Sequence, residues 1–358
     1  MPNPPPRIFC LMLARDEADI IEEVLRDALK WSEHIWVMDT GSTDGTWEIV
    51  TELAGQFGNL TAYRRAPLFY QEGLRAEMFN RFRSRFRPGD WICKMDADEF
   101  YPIDPREFIQ NHVRWFEGAL FLQWYFFRLT RREANDWEQG RESFADRSKS
   151  IQDRRLHYQL CEHHEFRMFR YRPDMQWGPD RILPWNVGYP AKKLIPVLHY
   201  PHRDPVQLAT RTELRHLMRT ATNDGTLTTG GAIHWEIADW RIELIDHNLA
   251  TEQKPGAEHP SSSTSPVARV GVDTMDGMRS PLIRRTPATN FQPVTSTRHL
   301  PRGRRKLALR CLHPFLERIV DRLRPRYPAE HEFPLIPEDH QKILEQATRR
   351  GQPPAATV

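Results

Sequence analysis

The chain has 358 residues, of which 39% are hydrophobic and 28% charged, with a formal net charge of +3; this length points to about two domains of roughly 100–200 residues each. No apolar run approaches the ~18–20 residues of a membrane span, since the densest, at 119–127, is broken by Gln123. Cys10, Cys93, Cys161 and Cys311 stand far apart with no CxxC pair, which argues against a disulfide framework or structural zinc and fits a reducing cytosol. The near-neutral charge argues against a nucleic-acid binder, and the opening MPNPPPRIF lacks the basic-then-apolar pattern of a signal peptide.

In chain order, IFCLMLA at 8–14 is a continuous apolar run, the pattern of a strand covered on both faces. At 19–31 the residues Ile20, Ile21, Val24, Leu25, Ala28 and Leu29 recur at helical spacing. A second strand at 35–38 runs into Asp39 and the turn-rich TGSTDGT. A helix at 47–57, a strand at 60–63, a helix containing 75–86 and a strand at 91–94 follow, the last leading into MDADE. This alternation predicts parallel βαβ units and an open α/β sheet.

The next hundred residues are less regular, with strands expected at 120–129, 166–171 and 194–200. Asp204-Pro205, with Gln207 three residues after the cap, opens a further helix, and another is expected at 234–249. Pro, Ser and Thr make up more than a third of 251–300, the composition of a flexible linker. Beyond it, 304–324 sets an apolar stripe of leucines, Ile319 and Val320 among arginines, and 339–349 suits one more helix.

Two acidic strand ends carry the chemistry. Asp39 ends one apolar run, and Asp96-Ala97-Asp98-Glu99 ends another. Ligands of open α/β sheets bind beyond the carboxyl ends of the strands, and carboxylates desolvated there without a partner cost several kcal/mol each. Asp-x-Asp in extended backbone sends both side chains to one face, toward one hard cation. Magnesium or manganese held by one or two carboxylates, with water and phosphate oxygens completing the shell, is the arrangement of nucleotide chemistry. Upstream, Gly41 permits a tight turn, Ser42 or Thr43 supplies a cap, and Asp44-Gly45-Thr46 opens a helix whose amides favour anions. An EF-hand is excluded by a glycine one place late and the missing bidentate Glu. A Walker loop is excluded because no lysine follows the glycines.

These blocks resemble family 2 glycosyltransferases of the GT-A fold. LMLARDEADIIEEVL, around 15–17, resembles the family's opening strand end, with Asp16 where Asn is commoner. VMDTGSTDGT at 37–46 resembles its nucleotide-binding block, and Arg75, Asn80 and GDWICKMDADEF at 89–100 the stretch into its metal motif. Thr40 in DTGSTD is similar to the subgroup of lipopolysaccharide-core glucosyltransferases and some peptide glycosyltransferases. The resemblance implies a GT-A-like open mixed sheet flanked by helices over 1–248, followed by a flexible linker at 249–300 and a small basic helical segment at 301–358.

It also implies roles. Asp39 would hold the nucleotide base, with Arg15, Glu17 and Gly41 lining the same pocket. Asp96 would face the ribose and donor sugar, and Arg75 would approach the donor diphosphate or sugar. Asp98, with His199 from VLHYPHRD, would ligate Mn2+ or Mg2+. The reaction is then inverting transfer of a sugar from a nucleotide-sugar donor to an acceptor hydroxyl, on a glycan, lipid-linked or peptide acceptor of the cell envelope. For the general base, Asp180 in WGPDR comes first, with Glu162 and Glu165 of CEHHEF as rivals. Adjacent His163 and His164 on a strand would point to opposite faces and form no transition-metal pair.

Two features stay open at this level. The aromatic run 124–127 suits either a buried strand or stacking on an acceptor sugar. The basic stripe at 304–324 suits either packing on the catalytic domain or an anionic membrane surface at the inner face of the membrane. Two other functions use the same features: a nucleotidyltransferase, which would need an early basic triphosphate loop not found here, and a non-catalytic glycan-binding scaffold, against which the joint presence of Asp39, Asp96 and Asp98 argues.

Overall fold

A computed structural model describes residues 4–161 and 165–223, the short stretches 250–252, 282–284 and 294–295, and residues 336, 338, 341, 342 and 345. The expected helices at 234–249 and 304–324, most of the expected linker, and Glu162, His163 and His164 lie outside the described residues.

The first half alternates as the periodicity requires: β1 (Ile8–Ala14), α1 (Ile21–Ala28), β2 (His34–Asp39), α2 (Thr46–Gln56), β3 (Leu60–Arg65), α3 (Gly73–Phe82) and β4 (Trp91–Asp96). β1 pairs in parallel with both β2 and β4, and β2 with β3. Every residue of β1 is buried, as expected of a central parallel strand covered on both faces. α1 starts two residues later than its apolar period, because Glu17–Ile20 form a turn and Asp19 turns its carboxylate to Arg203 (2.8 Å).

The second half holds β5 (Glu99–Phe100), α4 (Pro105–His112), β6 (Glu117–Phe127), α5 (Arg131–Glu138), α6 (Ile151–Arg154), β7 (His157–Leu160), β8 (Phe166–Arg170), β9 (Tyr189–Pro190), β10 (Lys193–His199) and α7 (Pro205–Asn223). β8 lies antiparallel between β4 and β6, so the sheet is mixed, and β6 runs in the same direction as β4. β10 continues it in parallel with β6. This is an open mixed sheet flanked by helices, the GT-A architecture. The last strands are β11 (Ala250–Glu252), β12 (Leu282–Arg284) and β13 (Val294–Thr295). They pair into the sheet through β7 and β10, so backbone pairing reaches into the stretch expected to be linker.

Two helices absent from the sequence reading carry ordinary signals. Asp104 caps α4 by accepting the Arg106 N–H at 2.8 Å, with Pro105 at the first helical position. This is the same device that opens α7, where Asp204 accepts the Gln207 N–H at 2.9 Å. A Thr130–Glu133 capping box starts α5.

Candidate functional site

Among the described residues, Arg15, Glu17, Asp39, Gly41, Asp96 and Asp98 follow or end β1, β2 and β4 at their carboxyl edge, while Arg75 comes from α3 and His199 ends β10. Asp39, the last residue of β2, is fully buried, and its Oδ1 accepts the Gly41 and Ser42 amides at 2.8 and 2.9 Å. Its Oδ2 is buried with no hydrogen-bond partner. A buried carboxylate oxygen left unpaired costs about 1–3 kcal/mol or more, so this oxygen has capacity to accept a hydrogen bond. Gly41 makes the turn with φ +100°, and a Cβ there would stand 2.8 Å from the Pro67 Cα. Only glycine fits.

The end of β1 is latched to this turn. Asp16 adopts φ +52°, a left-handed conformation that Asp and Asn tolerate better than other residues. Its Oδ1 accepts the Thr43 N–H at 2.8 Å, and its own N–H donates to Ser42 Oγ at 2.9 Å. Glu17 and Ala18 donate to Thr46 Oγ1 and Asp44 Oδ2 at 2.8 and 2.9 Å. The hydroxyls expected to cap α2 are therefore used elsewhere: Ser42 holds Asp16, and Gly45 is the cap residue with φ +101°. Asp44 Oδ1 takes the Thr46 N–H at 3.0 Å, so the first amides of α2 are partly engaged from within the chain.

The left-handed residue also breaks the alternation of side chains, and this separates two residues expected in one pocket. Arg15 lies beside Asp39, donating to the Thr40 carbonyl with its Nη1 3.3 Å from the position a Gly41 Cβ would take. Glu17 turns instead to Arg203 at 2.6 Å, on the Asp98 side. Burial and the nearby Asp98 push the Glu17 carboxyl up to about 8, against the pull of Arg203.

The two aspartates of the D-x-D also part. β4 ends at Asp96, and residues 97–98 form a turn rather than extended chain, so the two carboxylates take different partners, although both lie within electrostatic reach of His199. Asp96 is bound by two arginines, Arg75 from α3 and Arg167 from β8. Burial works against its charge, but Arg167 and Arg75 outweigh it and hold the carboxyl below its usual range. Asp98 has other partners: its Oδ1 lies 3.3 Å from His199 Nε2 and its Oδ2 3.5 Å from Arg211 of α7. There too the cationic neighbours, His199 first, overcome burial and lower the carboxyl.

Sequence reasoning missed the charges behind this edge. Arg167 is 1% exposed and also reaches Glu99 at 2.7 Å and Glu165 at 2.9 Å. Lys94 is fully buried, 3.2 Å from Glu72 and 3.8 Å from Glu165, and burial lowers its ammonium. They join Arg75, which the sequence did single out and which is likewise fully buried, linking Glu72 to Asp96. The available signal was period two: Lys94 lies two residues before Asp96 and so faces the same side of β4. Nothing local marks Arg203 or Arg211, which arrive from the far end of the fold.

The aromatic run divides between the two readings left open. Tyr125 and Phe127 are core residues, whereas Trp124 and Phe126 are half-buried and flank the His199 ring at 5.2 and 4.9 Å. Trp124 Nε1 donates to Glu99 at 2.9 Å. Asp180 sits on an exposed turn after buried Trp177, and among the described residues no cation pairs with it. Neighbouring Arg181 stacks on Trp185 at 3.3 Å and donates to the Leu183 carbonyl.

Among the described residues no three His, Cys, Asp or Glu side chains converge as a metal cluster. Asp98 and His199 nevertheless present an oxygen and an imidazole nitrogen side by side, a donor pair that suits a cation drawing its other ligands from water and phosphate. The residues fit a divalent ion of that kind.

Residues 10–178 match the family described as Glycosyl transferase family 2. That stretch belongs to glycosyltransferase family 2. It runs from β1 to just past Trp177, so it includes Arg15, Glu17, Asp39, Gly41, Arg75, Asp96, Asp98 and Arg167 but not Asp180, His199, Arg203 or Arg211. Among solved structures, Staphylococcus aureus TarS 1–349 is 16% identical over 35% of this chain and 36% of that chain, with a TM-score of 0.25. The same protein in complex with UDP-GlcNAc is 17% identical over 34% of each chain, also at 0.25. A Pyrobaculum calidifontis mannosyltransferase in complex with GDP-Man and Mn2+ is 16% identical over 61% of this chain and 65% of that chain, at 0.33. The chain thus spans about a third of the length of the first of these structures. No curated protein matches it.

Proposed function

We infer that the protein is an inverting glycosyltransferase that moves a sugar from a nucleotide-diphosphate donor to an acceptor hydroxyl. The observation that carries this reading is the orphaned Asp39 Oδ2 on the same sheet edge as the Asp98–His199 pair. One end of that edge accepts a hydrogen bond from a base, and the other suits phosphate-bound metal.

In this reading Asp39, fixed by two backbone amides, presents Oδ2 to the nucleobase, and Gly41 lets the chain pass close by. Arg15 holds that turn. Asp96, aimed by Arg75 and Arg167, faces the ribose and donor sugar, so Arg75 acts through Asp96. Arg203 and Arg211 supply positive charge beside the diphosphate. Asp98 and His199 would hold Mn2+ or Mg2+, which supplies Lewis-acid stabilisation of the departing diphosphate when bound. We take Asp180 as the base, because Glu165, the other described candidate, is already ion-paired to Arg167 and Lys94. Half-buried Trp124 and Phe126 beside His199 form the acceptor side. The acceptor is an envelope glycan, lipid-linked or peptide hydroxyl, met from the cytoplasmic side.

A panel of nucleotide sugars tested with Mn2+, read by thermal shift and donor hydrolysis, checks this. One donor stabilises the protein only with metal, and Asp98→Ala abolishes that shift. Failure of every donor, or metal-dependent binding unchanged in Asp98→Ala, overturns the reading.

A further inference from the structure

The opposite end of the sheet carries a surface that the proposed chemistry does not use. Parallel strands β1, β2, β4 and β6 all begin there, about 20 Å from the catalytic edge at ~3.3 Å per residue. In the turn before β6, Trp115 is 84% exposed and Phe116 41%, their rings in edge contact at 5.6 Å. Both follow Arg114, whose guanidinium lies 6.0 Å from the Phe116 ring.

The arginines around this pair are contiguous with it. Arg170, at the end of β8, donates to the Trp115 carbonyl at 2.6 Å and lies over the Trp91 ring at 5.2 Å. The turn before β4 is tied to the same corner by the Gly89 N–H to the Tyr171 carbonyl (3.1 Å), which places exposed Arg85 and Arg87 on the same rim.

The acidic residues at this end are turned inward. Buried Asp90 accepts the Arg87 backbone N–H at 2.7 Å, and buried Glu117 accepts that of Arg114 at 2.9 Å. Each carboxylate is thus used inside the fold, while the side chain of the arginine it anchors is exposed. The exposed acids nearby, Glu33 and Asp174, are each engaged, by Arg7 at 3.2 Å and Asn186 at 2.6 Å. The rim therefore offers guanidinium groups around a projecting Trp-Phe tip. Aromatic rings with one apolar and one wet side, flanked by cations, are the groups that settle at a lipid–water interface.

We propose that the Arg114–Trp115–Phe116 turn, with Arg85, Arg87 and Arg170, docks the protein on an anionic lipid bilayer. The partner is a membrane rather than a protein because the aromatic pair projects from a turn instead of lining a groove, and arginines stand beside it. Docking at this end leaves the catalytic edge facing away from the bilayer, toward an acceptor that extends from it.

The test is co-sedimentation of the full chain with vesicles of phosphatidylglycerol and phosphatidylcholine, and of phosphatidylcholine alone. The protein should sediment with the anionic vesicles and be released as salt rises from 0.05 to 0.5 M, beyond the Debye range. Trp115→Ala/Phe116→Ala should lower the partition at least ten-fold. Arg85→Gln, Arg87→Gln and Arg114→Gln should each lower it about five-fold (~1 kcal/mol). All these positions are exposed, so unchanged melting curves should accompany the loss. Equal sedimentation with neutral vesicles overturns the proposal. So does an unchanged partition in the Trp115→Ala/Phe116→Ala variant, or capture by polyglutamate in place of vesicles. Asp98→Ala should sediment as the parent does, so a failure of the glycosyltransferase reading and a failure of this one are separately visible.

Discussion

Replacing Arg167 by Met removes one guanidinium from three carboxylates, and the structure shows which of them suffers. Asp96 keeps Arg75, and Glu165 keeps Lys94 at 3.8 Å. Glu99, fully buried, keeps among the described residues the Trp124 Nε1 hydrogen bond at 2.9 Å and the more distant charge of His199, and its Oε2 is already without a hydrogen-bond partner. Breaking a buried pair by removing one member typically costs about 3–5 kcal/mol, because the remaining charge is left uncompensated. That loss should therefore fall mainly on Glu99. Burial already raises its carboxyl above the usual range in the presence of Arg167, and without the guanidinium it rises further. A carboxyl with a raised folded pKa is neutral in the fold while it ionises in the unfolded chain. Its stability is fully present below the unfolded value of about 4.3 and is lost as pH rises toward the folded one. Urea unfolding at pH 5 and pH 8 should therefore show a larger deficit for Arg167→Met at pH 8. Adding Glu99→Gln to the variant should recover most of it. A pH-independent deficit, or one below about 1 kcal/mol, would refute the assignment of the cost to a stranded Glu99.

Gly41→Ala should lose about 2–4 kcal/mol of stability by urea unfolding, combining the left-handed penalty with overpacking against the Pro67 backbone; a loss under 0.5 kcal/mol would contradict the geometry. Burial, with the like charge of Asp44 opposed by Arg15, pushes the Asp16 carboxyl up to about 6. Stability from this group is thus present below about pH 4 and lost by pH 6, about 2–3 kcal/mol at 1.36 kcal/mol per unit. Asp16→Asn should flatten the stability profile in that window while keeping the left-handed turn, and an unchanged slope counts against the raised carboxyl. For the base, Asp180→Asn should lower kcat at least 100-fold with little change in donor KM, and Glu165→Gln should do less; the reverse order would transfer the role to Glu165.

Much of the first hundred residues was legible because its elements are locally encoded. Period-two and continuous apolar runs specify β1, β2 and β4, and helical spacing specifies α1 and α2, since burial on a sheet dictates those patterns before any tertiary contact forms. The placement of Asp39, Asp96 and Asp98 at strand ends followed from those runs. Asp104-Pro105 and the Thr130–Glu133 box were equally local, and α4 and α5 were readable from them.

The sequence determined the chemistry present at the strand ends, including the glycine that the turn at Gly41 requires. It did not determine which way the side chains face. The left-handed Asp16 and the turn at 97–98 give Arg15 and Glu17, and Asp96 and Asp98, different partners, and no spacing rule anticipates a break in alternation set by the partners on either side. Only the tertiary structure brings Arg167, His199, Arg203 and Arg211 to these carboxylates, across separations of 71 residues for Arg167 and Asp96 and 184 for Arg203 and Asp19. The net charge of +3 conceals this arrangement. Ion pairing is decided by distance and burial in the folded chain, and composition carries neither.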